Sequence, residues 1–298
     1  MRFLITGIGG FVGSRLARHL LDRGDRVSGT YLDAVPDLPG VDLHEADLTD
    51  RAAMERVVRE TAPDAVFNMA GLSHVGESWN WELLPGYYWV NVVGTENVVA
   101  AAAGRPVVVI SSADVYGLVP EAEQPISEDR KIAPQSPYAI TKAASERIAL
   151  AHGALVVRSF NLIGPGQAAK FALANWATQL AAIRRGEREA VLEVGNLESR
   201  RDFVHVDDGA AAYRLLVERG APGTVYNLAS GRAVSMREAL TRLLRVSGVE
   251  VQVKEGAFPP RPQDIPMLSG DASRLRALGW KPEKTLDDAL SDLWRSVS

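Results

Sequence analysis

Tyr138 and Lys142 stand four residues apart in the run PYAITKAASERIALAH. On a helix that spacing puts a phenol and an ammonium on one face. A nearby positive charge lowers a phenol from its reference pKa of ~10. A tyrosine so tuned can pass a proton to or from a substrate oxygen near neutral pH. Ser112 ends the apolar run PVVVISS and can hydrogen-bond the same oxygen. A Tyr-x-x-x-Lys alone is commonplace on exposed helices. Here it follows a Ser-Ser strand end and a Gly-rich first turn, so Ser112, Tyr138 and Lys142 are the expected catalytic set.

That first turn carries Gly7, Gly10 and Gly13, between the β-rich run RFLIT and the helical run FVGSRLARHLLDRG. Glycine permits a tight turn and a close approach of backbone to a pyrophosphate resting on the helix N-terminus. Phe11 and Val12, inside the same turn, are counted with the cofactor contacts. In DLTD, Asp47 could accept from an adenine amino group with Leu48 against the ring; equally, Asp47 could merely open a loop.

The elements that must position these residues alternate along the chain. Strand-like runs at RFLIT, DRVSGTY, VDLHEADLTD, PDAVFNMA, PVVVISS and ALVVRSFNLIG are separated by helical runs, among them RAAMERVVRET and VNVVGTENVVAAAA. This pattern calls for an α/β fold, a doubly wound parallel sheet of Rossmann type with helices on both faces. The last third differs. GTVYNLAS reads as a late strand returning to the sheet, and SMREALTRLLRVSG and TLDDALSDLWRSV as amphipathic helices around the Pro-rich FPPRPQDIPML. The expected division is a dinucleotide-binding domain over 1–163 and a smaller, partly interleaved substrate lobe over 164–298, with about 202–229 returning to the core sheet.

Composition narrows the class. The 298 residues are 46% hydrophobic and 23% charged, with a formal charge of −4 and no cysteine. Disulfide and thiolate chemistry are excluded, and no basic footprint for nucleic acid is visible. Apolar runs fall far short of the ~20 residues of a membrane span. MRFLITG enters a strand-like run directly and does not read as a signal peptide. A cytoplasmic enzyme without a metal is the expectation.

The motifs TGIGGFVGS, DLTD, NMAG, SSADVYG, PYAITK and RSFNLIGPG occur in this order. With them the chain resembles the extended short-chain dehydrogenases/reductases that act on nucleotide sugars, over essentially its whole length. The resemblance implies Ser112, Tyr138 and Lys142 as the catalytic residues, and Ala70 and Gly71 as close neighbours of the cofactor. Asn91 would order the helix carrying the tyrosine, and is grouped with the cofactor positions. VGNLESRRDFVHVDD and RPQDIP resemble the family's clamps on a nucleotide diphosphate. Arg201 and Arg261 would be the phosphate partners, suited by their bidentate forks. Asn161 matches a position that contacts the sugar or its phosphates. AGLSHVGESW, FNLIGPGQ, VGNLESRRDF and RPQDIPMLSGD most resemble the family's reductases of GDP-4-keto-6-deoxy-mannose, which yield GDP-D-rhamnose.

GLSHVGESWNW follows the fourth strand, at the carboxyl edge of the sheet where ligands of open α/β sheets bind. His74 and Glu77 are therefore expected beside the sugar. Trp79 and Trp81 would wall that pocket or serve ordinary packing. The helix from about Trp89 leads into a face the family uses for dimers, which implies a homodimer.

The end of the second strand bears on the cofactor. NAD-binding members usually carry an acid there for the ribose 2′-OH, whereas this chain has Tyr31, preceded by Thr30. Arg15 could supply charge to a 2′-phosphate, and Asp33 could still serve NADH. NADPH is favoured over NADH. Three alternatives stay open. A 4,6-dehydratase needs an acid or base beside the serine, where this chain has Ala113 and Asp114, one methylene shorter than the glutamate of such dehydratases. A 4-epimerase would use the same three residues. A catalytically silent dinucleotide sensor would not need them.

Overall fold

The computed structural model describes residues 1–258 and 264–298. The chain opens with β1 (Arg2–Thr6), α1 (Phe11–Asp22), β2 (Arg26–Tyr31), β3 (Val41–Glu45), α2 (Arg51–Thr61) and β4 (Ala65–Asn68). A helical stretch follows in three parts: α3 (Leu84–Tyr88), a π-helical turn (Trp89–Val93) and α4 (Gly94–Ala101). Next come β5 (Val107–Ser112), α5 (Pro137–Ala151), β6 (Leu155–Ser159), β7 (Asn161–Ile163), α6 (Ala172–Arg184), β8 (Val191–Glu193), β9 (Arg200–His205) and α7 (Val206–Arg219). The chain closes with β10 (Val225–Leu228), β11 (Ala233–Ser235), α8 (Met236–Ser247), β12 (Gln252–Lys254), β13 (Met267–Leu268), α9 (Ser273–Ala277) and α10 (Leu286–Val297).

Seven strands form one parallel sheet in the order β10-β6-β5-β4-β1-β2-β3. Its central strands are apolar on both sides because both faces are covered. Phe3 and Ile5 of β1 share a cluster with Leu16 and Leu20 of α1 and Tyr213 and Leu216 of α7. Leu4, pointing the other way, joins Met54 and Val57 of α2, Val98 of α4 and Ala149 of α5. From β1 the chain runs outward to β3, then crosses back to β4 on the other side. The strand order therefore reverses between β1 and β4, and there a crevice opens at the carboxyl ends.

A separate apolar cluster joins α6, α8 and α10, with Leu180, Leu243, Leu290 and Leu293 fully buried. Each such leucine contributes ~1.5–3 kcal/mol by leaving water. Ser235 caps α8, and Thr285 and Asp288 cap each other's backbone at the start of α10. β9 pairs with β7, β11 and β13 in a second sheet, while β8 pairs with β12.

Two elements differ from the sequence reading. ALVVRSFNLIG is not one strand. Phe160 is buried, its N–H bonds the Leu228 carbonyl at 3.0 Å, and the chain then leaves the large sheet as β7 to pair with β9. The helix expected from Val90 starts earlier, at Leu84, with Pro85 in its first turn where a missing N–H is harmless.

Candidate functional site

β5 delivers Ser112 to the crevice, where it begins a tight turn through Ala113–Tyr116. The Asp114 N–H donates to Ser112 Oγ at 3.2 Å, and that hydroxyl donates to Asp114 Oδ2 at 3.3 Å. Facing it, α5 starts with Pro137 behind the cap Ser136, whose hydroxyl accepts from the Ala139 N–H at 3.1 Å. Tyr138 is thus fixed in the first turn. Its own N–H bonds Ser78 Oγ at 3.2 Å, and its ring meets Tyr87 edge-on with centroids 6.4 Å apart.

Burial pushes the Tyr138 phenol well above its ordinary value, and the Asp114 carboxylate pushes it further; a hydrogen bond with the Ser112 side chain opposes them. The sequence argument had the Lys142 ammonium lowering this phenol. In the structure other influences come first. Lys142 Nζ is turned onto the Ile110 carbonyl at 2.7 Å, and burial is the dominant influence on the phenol. Burial also lowers Lys142 itself, to about 8, against the upward pull of Glu146.

Lys142 Nζ and Asn91 Oδ1 both lie against Gly71, where an added Cβ would sit 3.5 and 3.0 Å from them. Asn91 is 1% exposed, and its amide is committed to protein partners. Its Oδ1 accepts from the Leu72 N–H at 2.9 Å; its Nδ2 reaches the Leu72 carbonyl and Thr141 Oγ1, both at 3.0 Å. It therefore pins the loop after β4 to α5 rather than presenting its amide to a cofactor. The π-helical turn aims it inward, with the Gly94 N–H bonding the Trp89 carbonyl five residues back.

At the β1–β4 switch point, Gly7 has φ +62°, and a Cβ on it would lie 2.8 Å from Ala70 Cα. No side chain caps Gly10 at the start of α1, whereas Asp50 caps α2. The first-turn N–H groups around Phe11, Val12 and Gly13 are those a helix leaves without intrahelical partners. This close-set, uncapped helix start suits a pyrophosphate. Tyr31 ends β2 at the rim. Asp47 Oδ1 accepts from the Thr49 N–H at 2.8 Å, while Leu48 is buried against Gly94 of α4. Arg15 is turned away from the β2 end: its fork holds Asp207 at 2.7 and 2.8 Å.

Sequence reasoning passed over the polar chain that ties these strand ends. Thr6 Oγ1 donates to Asn68 Oδ1 at 2.8 Å, Asn68 Nδ2 donates to Thr95 Oγ1 at 3.0 Å, and the Ala70 N–H donates to Thr6 Oγ1 at 3.2 Å. Thr6, Asn68 and Ala70 lie in the recognised motifs TGIGGFVGS and NMAG, whereas Thr95 lies in neither, and the bonds among them are not visible in the spacing.

On the far side of the crevice, His74 Nδ1 accepts from the Glu77 N–H at 3.1 Å, and the His74 ring stands edge-on to Phe171. Glu77 pairs with Lys170 at 3.0 Å, so this loop meets the segment between β7 and α6. Trp79 is half-buried with its Nε1 buried and unpartnered, and Trp81 is 82% exposed, so Trp81 serves no packing role within this chain. Asn161 is exposed on β7. Arg201 on β9 contacts Asp264 at 3.2 Å, and Asp264 also takes a bond from Asn196 at 2.8 Å. Arg261 lies outside the described residues. The structure thus gathers Ser112, Tyr138, Lys142, Gly71 and Asn91 closely, and sets Arg201 on the second sheet.

Known proteins share this fold over nearly the whole chain. The family model described as GDP-mannose 4,6 dehydratase matches residues 4–293. The chain is 34% identical to a GDP-6-deoxy-D-mannose reductase of Pseudomonas aeruginosa, covering 97% of this chain and 94% of that one. It is 32% identical to a UDP-glucose 4-epimerase of Streptomyces lividans, covering 98% and 95%. Among solved structures, RMD from Pseudomonas aeruginosa complexed with NADPH superposes with a TM-score of 0.86 at 33% identity, covering 99% and 98%. A Thermus thermophilus UDP-glucose 4-epimerase complex with NAD gives 0.88 at 28% identity, covering 100% and 99%. The chain belongs to the GDP-mannose 4,6 dehydratase family of extended short-chain dehydrogenases/reductases.

Proposed function

We propose that this protein reduces the C4 ketone of a nucleotide-linked 4-keto-6-deoxy sugar with NAD(P)H, taking GDP-4-keto-6-deoxy-D-mannose to GDP-D-rhamnose. The observation that supports this direction is the 34% identity, over 97% of the chain, to a GDP-6-deoxy-D-mannose reductase, and the state of Tyr138 is consistent with it. Burial and Asp114 keep its phenol protonated at neutral pH, which is the form that can donate.

A reduced nicotinamide cofactor held by the start of α1 would supply the hydride for C4. Tyr138 gives its proton to the developing alkoxide, and Ser112 holds the same oxygen in a site shielded from water. Lys142 supplies positive charge beside Gly71. Gly7, Gly10, Phe11, Val12 and Gly13 hold the pyrophosphate at the start of α1, with Tyr31, Asp47, Leu48, Ala70 and Gly71 along the rim. His74, Glu77 and Asn161 face the sugar. Arg201 and Arg261, in the lobe from residue 164 onward, bind the diphosphate. The protein acts as a homodimer.

Both reduced nicotinamides are accepted, with NADPH preferred. Tyr31 presents no carboxylate to repel a 2′-phosphate, yet Arg15 is held by Asp207, and residues 32–38 contain no lysine or arginine. Discrimination is correspondingly small. One observation favours a second assignment, a 4,6-dehydratase: the Asp114 carboxylate lies 3.3 Å from Ser112 Oγ. The two separate in one experiment. With the keto sugar, the reductase oxidises NADPH one for one, and with GDP-mannose alone it forms no 4-keto product. Efficient conversion of GDP-mannose without net cofactor use would establish the dehydratase instead.

A further inference from the structure

Three consecutive residues at the end of β5 each meet α5, at points one helical turn apart. Ser112 faces the Tyr138 phenol, the Ile110 carbonyl accepts from Lys142 Nζ at 2.7 Å, and the Ser111 hydroxyl donates to Glu146 Oε1 at 2.5 Å. The third tie lies beyond the expected catalytic set. Glu146 is 1% exposed, and Arg158 of β6 grips both its oxygens, Nη2 at 2.8 Å and Nε at 3.0 and 3.2 Å. Arg158 is itself anchored, since Nη1 donates to Tyr116 Oη at 3.1 Å, and Tyr116 Oη donates to Asn227 Oδ1 at 2.7 Å.

A buried ion pair is an expensive way to stabilise a fold, because desolvation consumes most of the attraction and an apolar pair of similar volume often does as well. Its place here, one turn from Lys142, suggests another use. We propose that Glu146, clamped by Arg158, is a positioning residue that holds Lys142 charged and in register with the end of β5. The proposal rests on Lys142 belonging to the catalytic set.

The charges around Lys142 make Glu146 the natural source of support. On α5 the titratable neighbours are Tyr138 and Glu146; Asp114 lies beyond β5, Arg158 on β6 and Tyr87 on α3. The loop after β4 and the π-helical turn present only Gly71 and the neutral Asn91. Burial drives the ammonium toward its neutral form, and Glu146 opposes it.

The test follows the lysine directly, without substrate. In protein carrying 13C-labelled lysine, the Lys142 side-chain shift is titrated in wild type and in Glu146→Gln. The expected midpoint is about 8 in wild type and lower by about one unit in the variant, the usual effect of removing a close opposite charge. Glu146→Asp should restore part of the difference. If the single variant does not fold, the pair Glu146→Met with Arg158→Met keeps the volume, and a smaller downward shift is expected because the guanidinium leaves with the carboxylate. An unchanged midpoint in any folded variant lacking the carboxylate would overturn the proposal and leave the pair as a brace. Turnover of the keto sugar, measured in parallel, tests the proposed reaction separately. A wild type that is inactive on it would sink that assignment while leaving the lysine titration to decide this one.

Discussion

Lys142 should make the protein less stable than it need be, and Lys142→Met should expose that. A lysine held at about 8 in the fold and 10.5 when unfolded corresponds to a folding cost of ~3 kcal/mol at pH 7. Methionine removes the charge and keeps a similar length. It also leaves the Ile110 carbonyl without the donor it has at 2.7 Å, a loss of ~1–3 kcal/mol. The net expectation is a variant between equal to wild type and ~2 kcal/mol more stable, with little or no turnover. Urea denaturation followed by circular dichroism, with activity in parallel, reads both quantities. The sign has a pH signature. Between about 8 and 10.5 the unfolded wild type keeps a proton that the fold has released, so wild-type stability rises across that window. The advantage of the methionine variant should shrink accordingly. A variant less stable than wild type by more than ~2 kcal/mol at pH 7 would refute the reasoning, because the Ile110 bond would then outweigh the buried charge.

Tyr138→Phe should lower turnover ~10²–10⁴-fold while nucleotide affinity by calorimetry is kept; near-wild-type rates would remove the phenol from the reaction. Asn91→Ala strands the Leu72 N–H and carbonyl that its amide now satisfies, so it should cost ~1–3 kcal/mol per group in denaturant unfolding and reduce turnover as the loop loosens. Unaltered stability would contradict the clip. Asp114→Asn should retain most of the reductase rate near neutral pH. Because Asp114 raises the phenol, its loss should move the alkaline fall of the rate profile to lower pH, and a profile that stays in place would show the carboxylate to be remote in effect.

The order of strands and helices was legible because burial on two faces writes itself as apolar runs, and helices as 3.6-residue stripes. The grouping of Ser112, Tyr138 and Lys142, the proposed catalytic set, was legible because its spacing is local: Tyr138 and Lys142 share a helix face, and Ser112 ends a strand. What stayed hidden depended on long-range register. Nothing near Arg15 shows that Asp207, far along the chain, takes its fork. Nothing in Asn91 distinguishes a residue that touches a cofactor from one that fastens Leu72 to Thr141. Nor does spacing fix the balance between desolvation and charge at Tyr138, which sets its ionisation and depends on how deeply the crevice encloses it. The break at Phe160 was invisible for the same reason, since only the partner strand β9 draws β7 away.

The π-helical turn at Trp89–Val93 amounts to one residue more than a regular helix between Leu84 and Ala101 would hold. A single-codon deletion inside it would close the hydrogen-bond ladder into an uninterrupted α-helix, a locally tidier structure. Because the wide turn is what absorbs the extra residue, α3 and α4 would keep their faces, and only the residues of the turn itself would move, by up to ~100° each, the angle of one residue in an α-helix. Asn91, at the centre of the turn, would swing out of place, and the loop that frames Lys142 would lose its fastening. Here a length polymorphism could act as a functional mutation while leaving composition, charge and helix propensity almost unchanged. Gaps in this segment therefore deserve as much weight as substitutions when variants of the chain are judged.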